Sequence, residues 1–401
     1  MAQRATLKPP ATLPDAGEAP PVRTLPFLGV VIASFGGPLA LAALYAPSIL
    51  TDASASAGFA MVAAAVVFAV PLLVWLRYSR HVATSGGLYG FVVAAAGPRV
   101  GLAQAGLWIA SYVLYLAYTT ASIVYDTLPV VLPGVHRYQP ALEIAIPVAL
   151  AVIMLAGRAI TLAVIGAVAA GQMVLLAVLA AVTVGHDAPA SSFAVHAPAG
   201  AVATATAQTA LLYVCGSLPL FLGGEVVRPF RTVPRVLTAG FLLTAVGVVA
   251  AVFPIAANPA FAHAPIPGMS IAEVFSGHSL AVAIGIGVAV STAGLMLVEY
   301  VALSRVLHAV TDRPLRPIIG VLAVVLVGSA PLSLINPERF YEDLLKPSLI
   351  ALWLSQLVVF AVYPRFAAAR RHRPLPAWML AIGASAFAIY GLYATVQHSS
   401  T

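Results

Sequence analysis

Apolar residues run along this chain in long uninterrupted stretches, broken by short segments that carry the charges, prolines and glycines. Windows of about 19 residues predict membrane-crossing helices. Cut at those breaks, they fall at 27–50, 58–76, 101–125, 141–156, 159–184, 205–223, 236–257, 279–304, 317–335, 343–363 and 376–396, numbered here as spans 1 to 11. Strands of a membrane barrel would alternate apolar and polar residues over about ten positions. Continuous apolarity predicts an all-α membrane protein instead. Only 8% of the 401 residues are charged, against about 25% in ordinary soluble domains, so a soluble globular enzyme is excluded.

Charge then orients the spans. The net charge of +7 would suggest nucleic acid in a soluble protein, but here the basic residues follow the membrane topology. With the N-terminus inside, seventeen of the twenty Lys and Arg residues fall in cytoplasmic segments, and only Arg137, Arg339 and Lys346 fall outside. The expectation is a multi-pass protein of the cell membrane, plasma or inner, with its C-terminus extracytoplasmic and no nucleic-acid partner. Residues 1–25 are rich in Pro, Ala and charge without apolar period and read as a disordered cytoplasmic tail. The competing reading, a cleaved signal peptide, meets a first span too long for a signal core and interrupted by Gly36, Gly37 and Pro38. Cys215 is the single cysteine, and no Cys or His cluster has metal-ligand spacing, so neither a disulfide, a structural metal nor a cofactor is expected.

Two spans carry helix breakers at depth. Span 1 holds Ser34, Phe35, Gly36, Gly37 and Pro38, and span 6 holds Tyr213, Val214, Cys215, Gly216 and Ser217 ahead of Pro219. Gly lowers helix propensity, and Pro removes a backbone donor and clashes with the preceding turn. Freed backbone groups inside a bilayer need partners, and a bound substrate is one such partner. A proline kink with close helix packing is the simpler reading of either span alone. Breaks five spans apart, at corresponding positions of two halves, point to inverted repeats with a binding site at the midplane. The organisation expected is a tail 1–25, one transmembrane domain 26–396 with repeats 26–184 and 205–363 and an extra helix 376–396, and an outer tail 397–401.

Three ordered motifs carry a resemblance. Ser79-Arg80-His81 with Ser85-Gly86-Gly87-Leu88-Tyr89-Gly90-Phe91 and Gly97-Pro98-Arg99-Val100-Gly101 lies between spans 2 and 3. Glu225-Val226-Val227-Arg228-Pro229 with Arg231-Thr232-Val233-Pro234-Arg235 follows span 6, and Ser304-Arg305-Val306-Leu307-His308-Ala309 follows span 8. In this order and placement, over about 27–365, the chain resembles permeases of the amino acid-polyamine-organocation superfamily. The resemblance implies the leucine-transporter fold, eleven spans here with discontinuous helices 1 and 6 and a 5+5 inverted repeat. It also implies that amides of broken span 1 hold a substrate carboxylate while carbonyls of spans 1 and 6 hold its amino group, which places the site at Ser34 to Pro38 and Tyr213 to Ser217. Half-helix ends carry the partial charges that match a zwitterion. Span 1 departs from the commoner Gly-x-Gly spacing, and the chain stops one span short of the usual twelve, which bears on oligomerisation. A monomer or weak homodimer is expected.

Side chains at depth supply further candidates. Many relatives carry a lysine in span 5. Here the matching region offers Gln172, which does not titrate and reads either as a hydrogen bond to broken span 1 or as a packing contact. Ser291 and Thr292 in span 8 are hydroxyls of the kind that bind sodium in the wider fold, or that bond their own helix carbonyls. Glu299, seven residues on and so about 10 Å further along the same helix, is read as the one acidic residue well inside an apolar span. An ionisable group there is a candidate for proton uptake and release, or for an ion pair with Arg80 or Arg305. Glu225, beside the arginines 228 to 235, reads as a gate residue. Tyr112, Tyr115 and Tyr118 in span 3 lie along one helix side and either offer hydroxyls to a substrate or form a packed aromatic seam.

These readings converge on a secondary carrier for an amino acid or related small amine, coupled to protons or sodium or working by exchange. The alternative is a non-transporting membrane sensor or scaffold that keeps the fold. A membrane-embedded enzyme finds no nucleophile, base and oxyanion arrangement in the sequence.

Overall fold

A computed structural model of the chain describes residues 25, 27–32, 34, 56–186, 193–261, 264–371 and 373–397. The expected tail before Leu25, most of span 1 including Phe35, Gly36, Gly37 and Pro38, and residues 398–401 lie outside the described residues.

Among the described residues ten helices are long and apolar enough to cross a membrane. They match expected spans 2 to 11 in order: Ala57–Ser79, Pro98–Val131, Pro133–Leu155, Arg158–His186, Ala199–Phe221, Pro229–Ala257, His278–Thr311, Leu315–Ile335, Pro337–Ala369 and Pro374–Gln397. Several begin on proline, whose missing N–H costs nothing in the first turn. Spans 4 and 5 are divided at Gly157, whose φ of 113° lies where residues with a Cβ are strained.

The helices outrun the apolar windows where polar ends are satisfied by other means. Span 10 starts at Pro337 because Asn336 caps it, its side-chain oxygen accepting from the Arg339 N–H at 3.0 Å. Span 3 continues past the expected 125 through a π-helical turn, Ser122–Thr127. Two further helices, Leu88–Ala96 and Pro267–Ser276, are too short to cross and went unpredicted as elements.

Packing sorts the spans into two groups. Spans 2, 6 and 7 contact one another, as do spans 3, 4, 8 and 9. Span 5 touches both groups through spans 7 and 8, while span 10 lies against span 3 and span 11 closes on spans 10, 2 and 6. The groups meet where the end of span 6, Leu218–Phe221, lies against span 8. The short stretch of span 1 described, residues 27–32 and 34, sits beside spans 7 and 5, with Ser34 against Gly240 and Ile32 against Gly166.

Candidate functional site

In span 6 the α-helix ends at Leu212, and Tyr213–Ser217 continues as a 3-10 helix before a last short turn, Leu218–Phe221. With three residues per turn, residues two apart point to different sides. Tyr213 turns toward spans 2 and 7, stacking on Phe68 at 5.5 Å and lying 5.3 Å from Phe241. There it lines a cavity of about 10 Å³ with Trp75, Gly216 and Thr244, room for roughly one water molecule. Cys215 turns the other way, toward Glu299 of span 8.

Glu299 is 2% exposed, and the polar side chains that face it are Cys215 and Tyr112. Both reach toward its carboxyl, although Oε1 finds no well-formed hydrogen bond among the described residues. The Tyr112 ring is held in place by Trp108, stacked at 3.9 Å, and Trp108 in turn packs on Phe221 at 4.9 Å. A buried carboxyl with no cation beside it among the described residues is costly as a bare charge. This arrangement can bind a proton or the positive group of a ligand. The ion pair with Arg305 anticipated for Glu299 does not form. Arg305 lies six residues on, about 9 Å along the axis and on another face, and its Nε donates to Glu225 Oε1 at 2.7 Å.

That second contact is part of a clasp. Glu225 also accepts from Arg158 at 3.3 Å, so one carboxylate after span 6 ties the start of span 5 to span 8. The backbone joins in, since Leu25 pairs with Val226 and donates its N–H to the Glu225 carbonyl at 3.4 Å. The three motifs from the sequence meet here. Gly86 lies against Ala309, Gly224 against the Ser85 hydroxyl, and Gly223 against the Thr84 backbone. Gly87, with φ of 54°, leaves the space of a Cβ to the Phe221 ring. The glycines let two loops and a helix end approach closely enough for the clasp to close.

The remaining candidates fall around this centre. Ser291 and Thr292 both donate to the Val288 carbonyl, at 3.1 and 2.8 Å, the local bonding that sequence alone allowed. Gln172 is buried with its amide oxygen facing Gly287 of span 8. Val214 and Ser217 are buried within the 3-10 turn. Of the three tyrosines, Tyr115 and Tyr118 belong to an aromatic seam that continues to Tyr341 of span 10, with ring separations of 5.3 Å, whereas Tyr112 faces Glu299.

Sequence reasoning missed a second buried carboxyl. Glu143, near the start of span 4, is also 2% exposed and faces Ser333 of span 9, and its Oε1 has no well-formed hydrogen bond among the described residues. Its place four residues into a helix led by polar Gln139 hid it at a window edge. Also missed was the pairing of Gln104 with Ser355 across spans 3 and 10 at 3.0 Å.

No family model matches the sequence, and no curated protein matches it. Solved structures do. A manganese transporter of Eremococcus coleocola superposes with a TM-score of 0.62 at 12% identity, covering 95% of this chain and 91% of that one. MhsT in complex with L-phenylalanine gives 0.62 at 15% identity, covering 95% and 100%. A Na+-coupled sialic acid symporter gives 0.57 at 10% identity, covering 94% and 90%. The chain has the leucine-transporter fold. At these identities the likeness establishes the fold alone, and the leucine-transporter fold here carries its buried carboxyl in span 8 and its clasp between spans 5, 6 and 8.

Proposed function

We propose that this protein is a secondary active transporter for an amino acid or a related small amine, working by alternating access around the broken middle of span 6. The observation that supports it is the buried carboxyl of Glu299, faced by Cys215 and Tyr112 beside the 3-10 turn, with an ionic clasp closing one end of the same bundle. Irregular backbone in a membrane is tolerated where it lines a site. A carboxyl there has a use only if something positive comes and goes.

Similar structures differ in the molecules named with them. They are a manganese transporter, a Na+-coupled sialic acid symporter, and MhsT in complex with L-phenylalanine. Among the described residues no three of His, Cys, Asp and Glu converge on one point, and the centre offers one carboxyl, a thiol and aromatic rings. That chemistry supports an organic substrate with a positive amino group. The coupling ion in this reading is the proton, taken up and released at Glu299, while the Ser291 and Thr292 hydroxyls bond within their own helix to Val288.

The test is uptake by reconstituted protein from a panel of amino acids and amines, with and without sodium, under an imposed inward proton gradient. Accumulation that needs the proton gradient and is lost in Glu299→Gln is the expected result. Sodium-dependent accumulation that survives Glu299→Gln would move coupling to Ser291 and Thr292. Absence of binding and uptake for every compound would favour the sensor or scaffold.

A further inference from the structure

The clasp has a neighbour that the transport reading does not use. A cavity of about 390 Å³ opens between the elbow of spans 4 and 5, the end of span 8 and the start of span 9. Arg158, Arg305 and Arg316 line it, together with Leu155, Leu162 and Ile319. The first two arginines contact the carboxylate of Glu225, and among the described residues the cavity lining itself holds three guanidinium groups and no acid. Spans 5 and 9 both begin at this cavity, which adds the partial positive charge of two helix N-termini.

We propose that this cavity binds the phosphate headgroup of an anionic phospholipid. Three features select that occupant. Guanidinium forks match phosphate oxygens in pairs and keep their charge when half-buried. The apolar side chains beside them, Leu155 among them at 46% exposure, continue onto the outer surface of the helices, where acyl chains lie. The cavity also sits at the end of the bundle that carries most of the arginines, the side on which basic pockets between membrane helices meet anionic lipid. A free phosphate would use the charges and leave the apolar wall without purpose, whereas a zwitterionic lipid would meet its own choline or amine with the arginines.

The experiment uses the full chain, delipidated in detergent, with binding of phosphatidylglycerol or phosphatidylcholine from mixed micelles quantified by mass spectrometry. Inorganic phosphate serves as competitor. The expected result is retention of phosphatidylglycerol well above phosphatidylcholine, affinity about fivefold lower in Arg316→Gln, as expected for loss of one cation near a membrane surface, and lower again in Leu162→Trp, which fills the cavity without touching charge. Arg316 lies outside the clasp, so its variant is expected to melt as the wild type does in lipid-free detergent. Equal retention of both lipids, or wild-type affinity in both variants, overturns the proposal. Full displacement by inorganic phosphate at the lipid's own concentration, with Leu162→Trp indifferent, would show a plain anion site and also overturn it.

Discussion

The clasp makes a graded prediction. Arg305 and Glu225 are 2.7 Å apart with side chains 8% and 9% exposed, while Arg158 reaches the same carboxylate at 3.3 Å with a side chain 32% exposed. Removing one partner of a buried pair costs about 3–5 kcal/mol, whereas an exposed pair contributes about 0.2–1 kcal/mol. Since Arg158 stays beside Glu225 in Arg305→Gln, the lower figure of about 3 kcal/mol applies. If the clasp holds the gate shut, opening becomes about a hundredfold more frequent. Arg158→Gln should raise it no more than about fivefold, and Glu225→Gln at least as much as Arg305→Gln. Cys215 reports it directly, being the single cysteine, buried, and beside Glu299. The assay is the rate of maleimide labelling in membranes, with melting temperature as the control for unfolding. Equal rates for Arg158→Gln and Arg305→Gln, or both within twofold of wild type, would refute the assignment of Glu225 as the gate.

Other positions give independent checks. Gly87→Ala puts a Cβ where the Phe221 ring lies, at φ of 54°; strain of about 1–2 kcal/mol and overpacking of about 1–3 kcal/mol predict a clear fall in melting temperature, and an unchanged value would show that the loop yields. Tyr112→Phe removes the hydroxyl that faces Glu299 and keeps the stacking on Trp108, so stability should change little while the pH dependence of uptake moves; an unmoved profile would separate Tyr112 from Glu299. Glu143→Gln replaces a buried carboxyl that faces Ser333 and has no cation beside it among the described residues, so the melting temperature should stay or rise. A fall of several degrees would mean that the carboxylate has a partner worth keeping.

How much of this was legible follows from what hydropathy measures. Uninterrupted apolar windows located spans 2 to 11, because each of these helices must satisfy its own backbone in lipid. Their ends were misjudged where a tertiary feature extends the helix, as the Asn336 cap does for span 10 and the π turn does for span 3. A departure from α-helix in span 6 was readable from Gly216 and Pro219, but its 3-10 form and the direction of each side chain were not: the divergence of Tyr213 and Cys215 depends on the local helix type. Glu143 stayed hidden because burial next to Ser333 is set by the packing of span 9 on span 4, over a separation that no window spans.

The motifs behind the family resemblance lie far apart in sequence, at 79–101, 225–235 and 304–309, and their sequence order gave no reason for their coexistence. The fold supplies one. Each provides a part that has no use without the others: glycines that remove side chains from a crowded contact, a carboxylate after span 6, and a guanidinium at the end of span 8. If Ser85 to Gly87 could not approach Phe221 and Gly224, the end of span 6 would sit elsewhere and Glu225 would lose Arg305. The same end of span 6 carries Cys215 toward Glu299, ten residues before Glu225. One short segment, Leu218–Phe221, thus connects the clasp to the groups around the buried carboxyl. Under the proposed carrier function that connection is the one required, because access at one end must depend on what the centre holds.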